Sequence, residues 1–312
     1  GKGGITLDPR NYSEAELERI ARAYSEAISP LIGEKIDIPA PDVNTNGKIM
    51  SWMVDAYENV VKHSAPGVFT GKPVEFGGSL ARTEATGYGV NFAAVQALEK
   101  LGKDVKGATY AIQGFGNVGY HTGYYAHKAG AKIVAVSTVD VAIYNENGLD
   151  MEAIIKEFQT KGFITNEAGY GKEISNAELL ALDVDVLAPC ALENQLTSEN
   201  AGKVRAKIVV EGANGPTTPE ADVILRQNGV LVVPDILANC GGVVVSYFEW
   251  VQNLQGYYWE FDEVQEKETV VLRRAFRDIW NLAQEYDVDL RTASYMMSIR
   301  RVEKAMKLRG WY

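Results

Sequence analysis

The chain has 312 residues, more than one hydrophobic core usually supports, so we expect two lobes rather than one. Hydrophobic residues make up 46% and charged residues 23% of the chain, values that exclude a disordered protein and are typical of a packed globular one. The net charge is −10 and the Lys and Arg residues are scattered, which argues against nucleic acid as a partner.

The N-terminal part of the chain predicts a small α/β lobe at residues 1–75. GKGGITLDP predicts a loop that enters a strand, and Ser13 with Glu16 forms the capping-box pattern that starts a helix. IDIPAP predicts a short strand, and an apolar period over residues 47–63 predicts a second helix. The first residues contain no apolar signal-peptide segment, and no apolar run reaches the about 20 residues of a membrane span. We therefore expect a cytoplasmic protein without a membrane partner.

The middle of the chain, residues 76–240, predicts an α/β lobe with a doubly wound parallel sheet. The glycine-rich segment GKPVEFGGSL predicts the connection between the lobes, and helical patterns follow at residues 82–101 and 151–160. Short apolar strands alternate with these helices, which is typical of a parallel sheet covered on both faces. The predicted strands lie within TYAIQ, KIVAVS, VDVLAP, AKIVVEG and VLVVP.

The last part of the chain, residues 241–312, predicts long helices rich in aromatic residues. The helical patterns cover residues 243–255, 261–286 and 290–309. We expect these C-terminal helices to pack back onto the first lobe. The alternative interpretation is a helical appendage that only stabilises the protein.

A glycine motif, GFGNVG, follows the predicted strand TYAIQ at once and precedes a predicted helix. Gly114, Gly116 and Gly119 stand where a turn is tight, where a backbone approaches a pyrophosphate and where a helix packs on a sheet. Alone, such a motif often marks an ordinary turn, but KIVAVS completes a βαβ unit here. We therefore predict a Rossmann-like dinucleotide-binding domain, with the intervening residues of the motif also at the cofactor. These are Phe115, Asn117 and Val118.

The end of the second strand carries the residues expected to meet the cofactor's ribose. Thr138 stands where dinucleotide-binding domains usually have an acid, and Asp140 follows two residues later. A carboxylate accepts a hydrogen bond from a ribose 2′-hydroxyl and repels a 2′-phosphate, and no basic residue follows Thr138 closely. We therefore favour NAD over NADP. A solvated turn residue is the alternative interpretation of Asp140.

The two cysteines predict no metal or redox site. Cys190 and Cys240 have neither C-x-x-C spacing nor nearby histidines, so buried free thiols are the better interpretation. We expect no bound metal.

Several longer motifs resemble those of the hexameric glutamate dehydrogenases, members of the Glu/Leu/Phe/Val dehydrogenase superfamily. They occur in the same order and cover essentially the whole chain. The motifs are G-K-G-G at residues 1–4, D-I-P-A-P-D at 37–42, G-G-S-L at 77–80, E-A-T-G at 84–87, E-G-A-N-G-P at 211–216 and N-C-G-G-V at 239–243. The resemblance implies that residues 1–75 are the remainder of a substrate domain, and that the reaction is the reversible oxidative deamination of L-glutamate.

The resemblance also implies two catalytic residues, Lys2 and Asp42. A lysine with a lowered pKa polarises a carbonyl oxygen and exchanges protons with water, and a carboxylate moves protons on the amino nitrogen. Without the resemblance, a solvated terminus is the better interpretation of Lys2, and a loop cap after Pro41 is the better interpretation of Asp42.

By the same resemblance, further residues line the cofactor and the substrate. Thr86 lies near the nicotinamide, Ala188 and Pro189 line the cleft at the end of a strand, and Asn214 and Asn239 hold the ribose and carboxamide. The alternative for both asparagines is turn chemistry beside a glycine.

The substrate-binding residues implied by the resemblance are Arg82, Val243 and Ser246. Ser246 suits an acidic side chain, so we expect glutamate rather than leucine, valine or phenylalanine. A serine that bonds to its own helix backbone is the alternative.

The family carries an N-terminal segment before the G-K-G-G motif, with a lysine that holds the substrate's distal carboxylate and strands that form subunit contacts. We therefore expect a homo-oligomer, hexameric in the intact protein, whereas the chain as given binds the cofactor without full turnover. Two competing hypotheses are a leucine, valine or phenylalanine dehydrogenase, and a non-catalytic dinucleotide-binding module.

Overall fold

A computed structural model describes residues 3–311 and confirms the predicted α/β class. The α-helices in this range are Glu14–Ile28 (α1), Gly47–Val61 (α2), Ala85–Lys100 (α3), Asn117–Lys128 (α4), Met151–Lys161 (α5), Asn176–Leu180 (α6), Pro219–Gln227 (α7), Asp235–Ala238 (α8), Gly241–Gln255 (α9), Phe261–Tyr286 (α10) and Leu290–Leu308 (α11). The strands are Thr109–Gln113 (β1), Lys132–Ser137 (β2), Ala142–Tyr144 (β3), Lys172–Ile174 (β4), Val186–Pro189 (β5), Ile208–Val210 (β6) and Leu231–Val233 (β7). No helix within residues 3–311 is long and apolar enough to cross a membrane.

The chain divides into two compact units. Unit 1 contains the described residues up to Thr83 together with Val243–Lys267, and unit 2 contains Glu84–Gly242 together with the described residues from Glu268 onward. The unit boundaries therefore fall just before α3, within α9 and within α10. Residues of the predicted C-terminal segment, 241–312, occur in both units.

Unit 2 is built on a sheet with the strand order β4-β3-β2-β1-β5-β6-β7. The pairs β2–β1, β1–β5, β5–β6 and β6–β7 are parallel, as predicted. These five strands are the ones that the sequence predicted. Two short strands that it did not predict, β3 and β4, extend the sheet beyond β2 through antiparallel pairs. Since β1 has β2 on one side and β5 on the other, the strand order reverses there. Such a switch point, at the carboxyl ends of the strands, is where doubly wound sheets bind ligands.

Helices cover both faces of this sheet, which explains why its central strands are mainly apolar. Tyr110 and Ile112 of β1 belong to one buried cluster, to which α3, α4, α5, α10 and α11 contribute. Ala111, on the opposite face of β1, belongs to a second cluster with residues of α6 and α7. A strand buried on both faces needs apolar residues at every position, so β1 reads as a continuous apolar run.

Unit 1 contains the two predicted N-terminal helices, and both are confirmed. Ser13 and Glu16 form the capping box of α1, and Asn46 caps α2 by accepting a hydrogen bond from Ile49 N at 3.1 Å. Met50, Met53, Val54 and Tyr57 of α2 face a buried cluster. These caps and this apolar face fix both helices.

The strand predicted in IDIPAP was wrong, as was the strand expected after the opening loop. Residues 3–8 and 36–41, all within the described range, form no strand. Pro39 and Pro41 have no N–H group, so this segment lacks two of the donors that a ladder requires. Its backbone is held instead by single hydrogen bonds, from Gly33 N to Asp37 O at 3.1 Å and from Thr70 N to Pro39 O at 3.0 Å.

Asp185, just before β5, is a buried carboxylate at the amino end of the sheet. It accepts hydrogen bonds from Thr109 N at 2.9 Å, from Thr109 Oγ1 at 3.1 Å, from Lys207 Nζ at 3.0 Å and from Lys103. Burial by itself raises the pKa of this carboxyl, but the bonds from Lys103, Thr109 and Lys207 lower it to about 2.

We expect Asp185→Asn to destabilise the protein by about 1–2 kcal/mol at neutral pH, allowing for the exposure of the lysine partners. Because the folded-state pKa lies below the unfolded value, this contribution is present above about pH 4 and is lost as the pH falls towards 2. Denaturant unfolding of both proteins from pH 7 to pH 2.5 measures the difference, and the exposed Asp183→Asn is the control. A difference that does not change with pH contradicts this assignment.

Candidate functional site

The turn after β1 requires glycine at two positions. Gly114 has φ +84, and a Cβ there would lie 2.6 Å from Ala191 Cα. A Cβ on Gly119 would overlap the carbonyl oxygen of Gly114, so the start of α4 lies directly on the turn. Both are backbone contacts that no side chain can relieve. The first and third glycines of the motif therefore have the structural roles that the sequence predicted.

The second glycine faces open space at the N-terminus of α4. Gly116 is the N-cap of α4 and brings no side chain to the first turn, and nothing lies within 4 Å of the position of its Cβ. Gly116 and Asn117 are both exposed. The N–H groups and the dipole at the start of a helix favour an anion, and a missing Cβ lets a phosphate approach the backbone. These residues therefore fit the pyrophosphate of a dinucleotide.

Phe115 and Val118 are the residues of this turn whose side chains are buried or half-buried. The Phe115 ring is buried and makes edge-to-face contacts with Tyr120 and Phe158, and its N–H donates to Ser137 O at 2.6 Å. Val118 is half-buried and lies beside Gly212. Of the two, Phe115 thus anchors the turn to β2 through both its side chain and its backbone.

Helix α3, whose second residue is Thr86, packs closely on α4 where α4 leaves the glycine turn. A Cβ on Gly87, the next residue, would lie 2.5 Å from His121 Cβ and 2.7 Å from Val118 O. Thr122 Oγ1 donates to Val118 O at 2.8 Å at the same crossing. The first turns of the two helices are therefore in direct contact, and half-buried Thr86 lies at this junction.

Thr138 forms the turn that follows β2. Its Oγ1 accepts hydrogen bonds from Val141 N at 3.2 Å and from Asp140 N at 3.3 Å, and Thr138 N donates to Val141 O at 2.7 Å. Ser137 Oγ accepts from Gly114 N at 3.1 Å, which ties this turn to the glycine turn. Asp140 is exposed. Thr138 therefore shapes the loop, and Asp140 is the carboxylate that this loop presents to solvent.

The loop after β6 and the end of α8 bring the two predicted asparagines, Asn214 and Asn239, together. Ala188 and Pro189, the last residues of β5, are buried, and Pro189 O accepts hydrogen bonds from Gly212 N at 3.0 Å and from Ala213 N at 2.9 Å. Asn239 Nδ2 donates to Asn214 Oδ1 at 2.7 Å. The pair lies at the carboxyl edge of the sheet, on the same edge as the glycine turn.

An ionic network that the sequence did not reveal holds the Asn214 loop. Arg291 of α11 contacts Glu211 at 2.6 Å, Asp222 at 2.6 Å and Asp235 at 3.4 Å. Glu211 Oε2 accepts from Asp235 N at 2.7 Å, and Asp235 Oδ2 accepts from Gly215 N at 2.8 Å. The loop is therefore held by bonds on both sides of Asn214, at Glu211 before it and at Gly215 after it. The position of Glu211 directly after the buried strand β6 indicates that a cation must pair with it, but the sequence pattern does not identify that cation as Arg291.

Arg291 and Glu211 are strongly coupled. Burial raises the pKa of Glu211, and the hydrogen bond and charge of Arg291 oppose that effect. Burial lowers the pKa of Arg291, but its bonds to Glu211 and Asp222 outweigh this and raise it above its usual value. Arg291 therefore remains a permanent cation at the base of the loop.

In unit 1 the structure brings together the predicted substrate-binding residues. Arg82 Nε donates to Ser246 Oγ at 2.9 Å, and both residues are half-buried. Val243, one turn earlier on α9, is exposed. The Ser246 hydroxyl thus accepts a hydrogen bond from a cation, and a cation with a hydroxyl suits a carboxylate ligand.

Asp42 is exposed in a turn between the IDIPAP segment and α2. Its Oδ1 accepts from Val43 N at 2.9 Å, and its backbone N donates to Thr45 Oγ1 at 2.7 Å. Pro41, before it, packs against Gly71. The side chain is therefore held by local bonds in a position open to a ligand. Lys2, the other predicted catalytic residue, lies outside the described residues.

A glycine turn between a buried strand and a helix, at the switch point of a doubly wound sheet, defines a dinucleotide-binding protein of the Rossmann type. The model of the Glutamate/Leucine/Phenylalanine/Valine dehydrogenase family matches residues 77–310, and that of the Glu/Leu/Phe/Val dehydrogenase dimerisation domain matches residues 1–59. The chain belongs to this family.

Individual relatives agree with this assignment. The chain is 54% identical to the NAD-specific glutamate dehydrogenase of Clostridioides difficile, over 100% of its own length and 75% of the relative's. It is 50% identical to the glutamate dehydrogenase of Thermotoga maritima, with the same coverage of 100% and 75%.

Solved structures show the same fold. Glutamate dehydrogenase from Peptoniphilus asaccharolyticus matches with a TM-score of 0.86 at 43% identity, over 99% of this chain and 74% of that one. The hetero-hexameric glutamate dehydrogenase from Thermus thermophilus, in its Leu-bound form, matches with a TM-score of 0.92 at 35% identity, over 99% and 73%.

Proposed function

We propose that this protein catalyses the reversible oxidative deamination of L-glutamate to 2-oxoglutarate and ammonia, with NAD as the hydride acceptor. The observation that carries the proposal is the bond between Arg82 and Ser246 in a chain that also has the glycine turn of a dinucleotide site. A cation paired with a hydroxyl suits an acidic substrate, and the turn suits the cofactor. The names of the relatives, NAD-specific glutamate dehydrogenases among them, support both assignments.

The cofactor residues divide into three groups by the part of the dinucleotide that they serve. The turn from Gly114 to Gly119 binds the pyrophosphate, with Gly116 and Asn117 at its open side, Phe115 as its anchor and the half-buried Val118 beside it. Thr138 and Asp140 serve the adenosine ribose. Thr86, Ala188, Pro189, Asn214 and Asn239 orient the nicotinamide end, whose ring accepts the hydride when it is bound.

The preference for NAD rests on charge. Asp140 is exposed after Thr138, and a carboxylate there accepts a bond from a 2′-hydroxyl and repels a 2′-phosphate. The names of several relatives, which state NAD specificity, support the same preference.

Arg82, Val243 and Ser246 bind the substrate, and Asp42 and Lys2 carry the proton transfers. Arg82 and Ser246 bond to a carboxylate, and Val243 contacts the aliphatic chain. Asp42 accepts a proton from the substrate nitrogen, which frees its lone pair and lets the Cα hydrogen leave as hydride. Water then adds to the imine carbon. Lys2 polarises the oxygen atom that this water contributes, and ammonia leaves as the carbonyl group of 2-oxoglutarate forms.

We also propose that the protein works as a homo-oligomer, and specifically as a hexamer. The match of residues 1–59 to a dimerisation-domain family supports self-association. The similar glutamate dehydrogenase from Thermus thermophilus is a hetero-hexamer, which supports an assembly of six subunits. Light scattering of the intact protein measures its mass directly.

Steady-state assays test the proposed reaction. We expect reduced nicotinamide to form fastest with glutamate and NAD, and more slowly with NADP or with leucine, valine or phenylalanine. The reverse reaction, with 2-oxoglutarate, ammonium and NADH, is expected to consume NADH. Preference for an apolar amino acid contradicts the substrate assignment, and NADH binding without turnover of any amino acid in the intact protein contradicts the assignment as an enzyme.

A further inference from the structure

Helix α9 has a buried polar face within unit 1, besides Ser246. Glu249 lies one helical turn after Ser246, and Gln252 and Asn253 lie one turn after Glu249. The relative exposures of Glu249, Gln252 and Asn253 are 0%, 1% and 6%. Such residues are rarely so buried unless partners satisfy them. The partners of this face therefore show what the helix holds in place.

Glu249 is paired with Lys72, and both side chains are completely buried. Lys72 Nζ lies 2.7 Å from Glu249 Oε1 and donates to Phe69 O at 2.6 Å. Glu249 also accepts from Gly71 N at 2.9 Å and from Lys72 N at 3.2 Å. Burial lowers the pKa of Lys72, and the charge of Glu249 raises it. The Glu249 carboxylate thus holds the backbone of residues 71–72 and the side chain of Lys72 against α9, and Lys72 in turn holds Phe69 O.

The segment that this ion pair holds is the one on which the Asp42 turn rests. Gly71, at φ +79, packs on Pro41 so closely that a Cβ would overlap the proline ring. The next contact is a hydrogen bond from Thr70 N to Pro39 O at 3.0 Å. The Asp42 turn is therefore connected through Gly71 and Glu249 to the helix that carries Ser246.

The same face of α9 holds the segment that leads to Arg82. Asn253 Nδ2 donates to Gly77 O at 2.9 Å, and Gln252 Nε2 donates to Ser79 Oγ at 2.9 Å. Ser79 O in turn accepts from Arg82 N at 3.4 Å. Helix α9 therefore carries Ser246 and also contacts the segments that lead to Arg82 and to the Asp42 turn.

We propose that Lys72 and Glu249 are positioning residues, whose buried ion pair sets the Asp42 turn relative to Ser246 and Arg82. A buried ion pair usually adds little stability over an apolar pair of similar volume, because both charges lose their hydration. Its directional bonds, however, fix two backbone segments in one geometry. The inference rests on the proposed function, since the positioned groups act on glutamate.

The test removes both charges at once. In Lys72→Met/Glu249→Gln the glutamine keeps an acceptor for Gly71 N, and no uncompensated charge remains buried, so we expect thermal stability close to wild type. Because small misplacements of reacting groups cost large factors in rate, we expect kcat/KM for glutamate to fall by at least about tenfold, mainly in kcat. The KM for NAD is expected to stay within about twofold, since the cofactor residues are in unit 2.

The matched control is Lys48→Met/Glu14→Gln, which removes an exposed ion pair from the same unit. We expect it to leave kcat/KM for glutamate and the KM for NAD unchanged.

The positioning role is overturned if the buried double variant keeps the wild-type kcat/KM for glutamate. It is also overturned if kcat/KM falls together with NAD binding and thermal stability. If it does not fold, Glu249→Gln alone is measured in the same way, and failure of both to fold means that the pair is only structural. Wild-type enzyme assayed in parallel separates these outcomes from failure of the proposed function, in which case wild type itself does not oxidise glutamate.

Discussion

Replacing Asp42 with asparagine is expected to lower kcat for glutamate oxidation by about 10²–10⁴-fold, the usual range for loss of a general acid or base. Asparagine is nearly isosteric and keeps an oxygen that accepts the bond from Val43 N, which is 2.9 Å long in the wild type. The turn should therefore keep its shape. The amide cannot accept the proton from the amino nitrogen, so the chemical step slows while the KM for NAD changes little.

The control for Asp42 is Asp37→Asn, five residues earlier in the same exposed segment. It removes one negative charge at a similar exposure but is outside the proposed machinery, so we expect wild-type rates. Initial rates at saturating NAD, together with thermal unfolding of each variant, separate a chemical effect from a folding defect. An Asp42→Asn enzyme with more than about half of the wild-type kcat is incompatible with a proton-transfer role.

The second large effect is expected at the glycine turn, where two alanine substitutions should behave differently. Gly119→Ala places a Cβ on the Gly114 carbonyl oxygen, so the turn must move, at a cost of about 1–3 kcal/mol in the free energy of unfolding. Gly116→Ala meets nothing within 4 Å and its φ of −84 suits alanine, so stability should stay unchanged. Its methyl group, however, occupies the face that a phosphate approaches.

We therefore expect both variants to bind NADH at least about tenfold more weakly, a change of about 1.4 kcal/mol, but only Gly119→Ala to unfold more easily. Calorimetric titration with NADH and denaturant unfolding measure the two quantities. Gly202→Ala, at an open position elsewhere in unit 2, controls for the added methyl group. Unchanged NADH binding by Gly116→Ala means that the pyrophosphate lies elsewhere.

The central strands could be predicted from sequence because burial on both faces leaves a distinctive apolar run. TYAIQ and KIVAVS form β1 and β2 with the predicted ends. β3 and β4 were missed although they are as long as β6 and β7. The β4 sequence KEI is mostly exposed and polar, and the β3 sequence AIY is followed at once by the polar residues NEN, so neither stands out as an apolar strand. The strand predicted in IDIPAP was wrong because the apolar residues of this segment favour a strand, whereas Pro39 and Pro41 lack the N–H groups that strand pairing requires.

Parts of the site that lie within one short motif could likewise be predicted. The glycine turn needs only residues 114–119, and its geometry follows from local sterics. The ion pair between Lys72 and Glu249 joins positions 177 residues apart, and Arg291 reaches Glu211 across 80 residues. Local patterns carry no information about such partners, since any of the chain's many acids and bases can satisfy a buried charge.

The network around Arg291 has a consequence for synthesis on the ribosome. Glu211 is completely buried, and a buried carboxylate without its cation is strongly unfavourable, yet Arg291 is translated 80 residues later. The hydrogen bonds from Phe115 N to Ser137 O and from Gly114 N to Ser137 Oγ lie within the βαβ segment up to Ser137, so a nascent chain can form the backbone of the glycine turn early. The loop that bears Asn214 is therefore expected to take its final position only once α11 has emerged, so the proposed binding of the nicotinamide end is a late property of the growing chain.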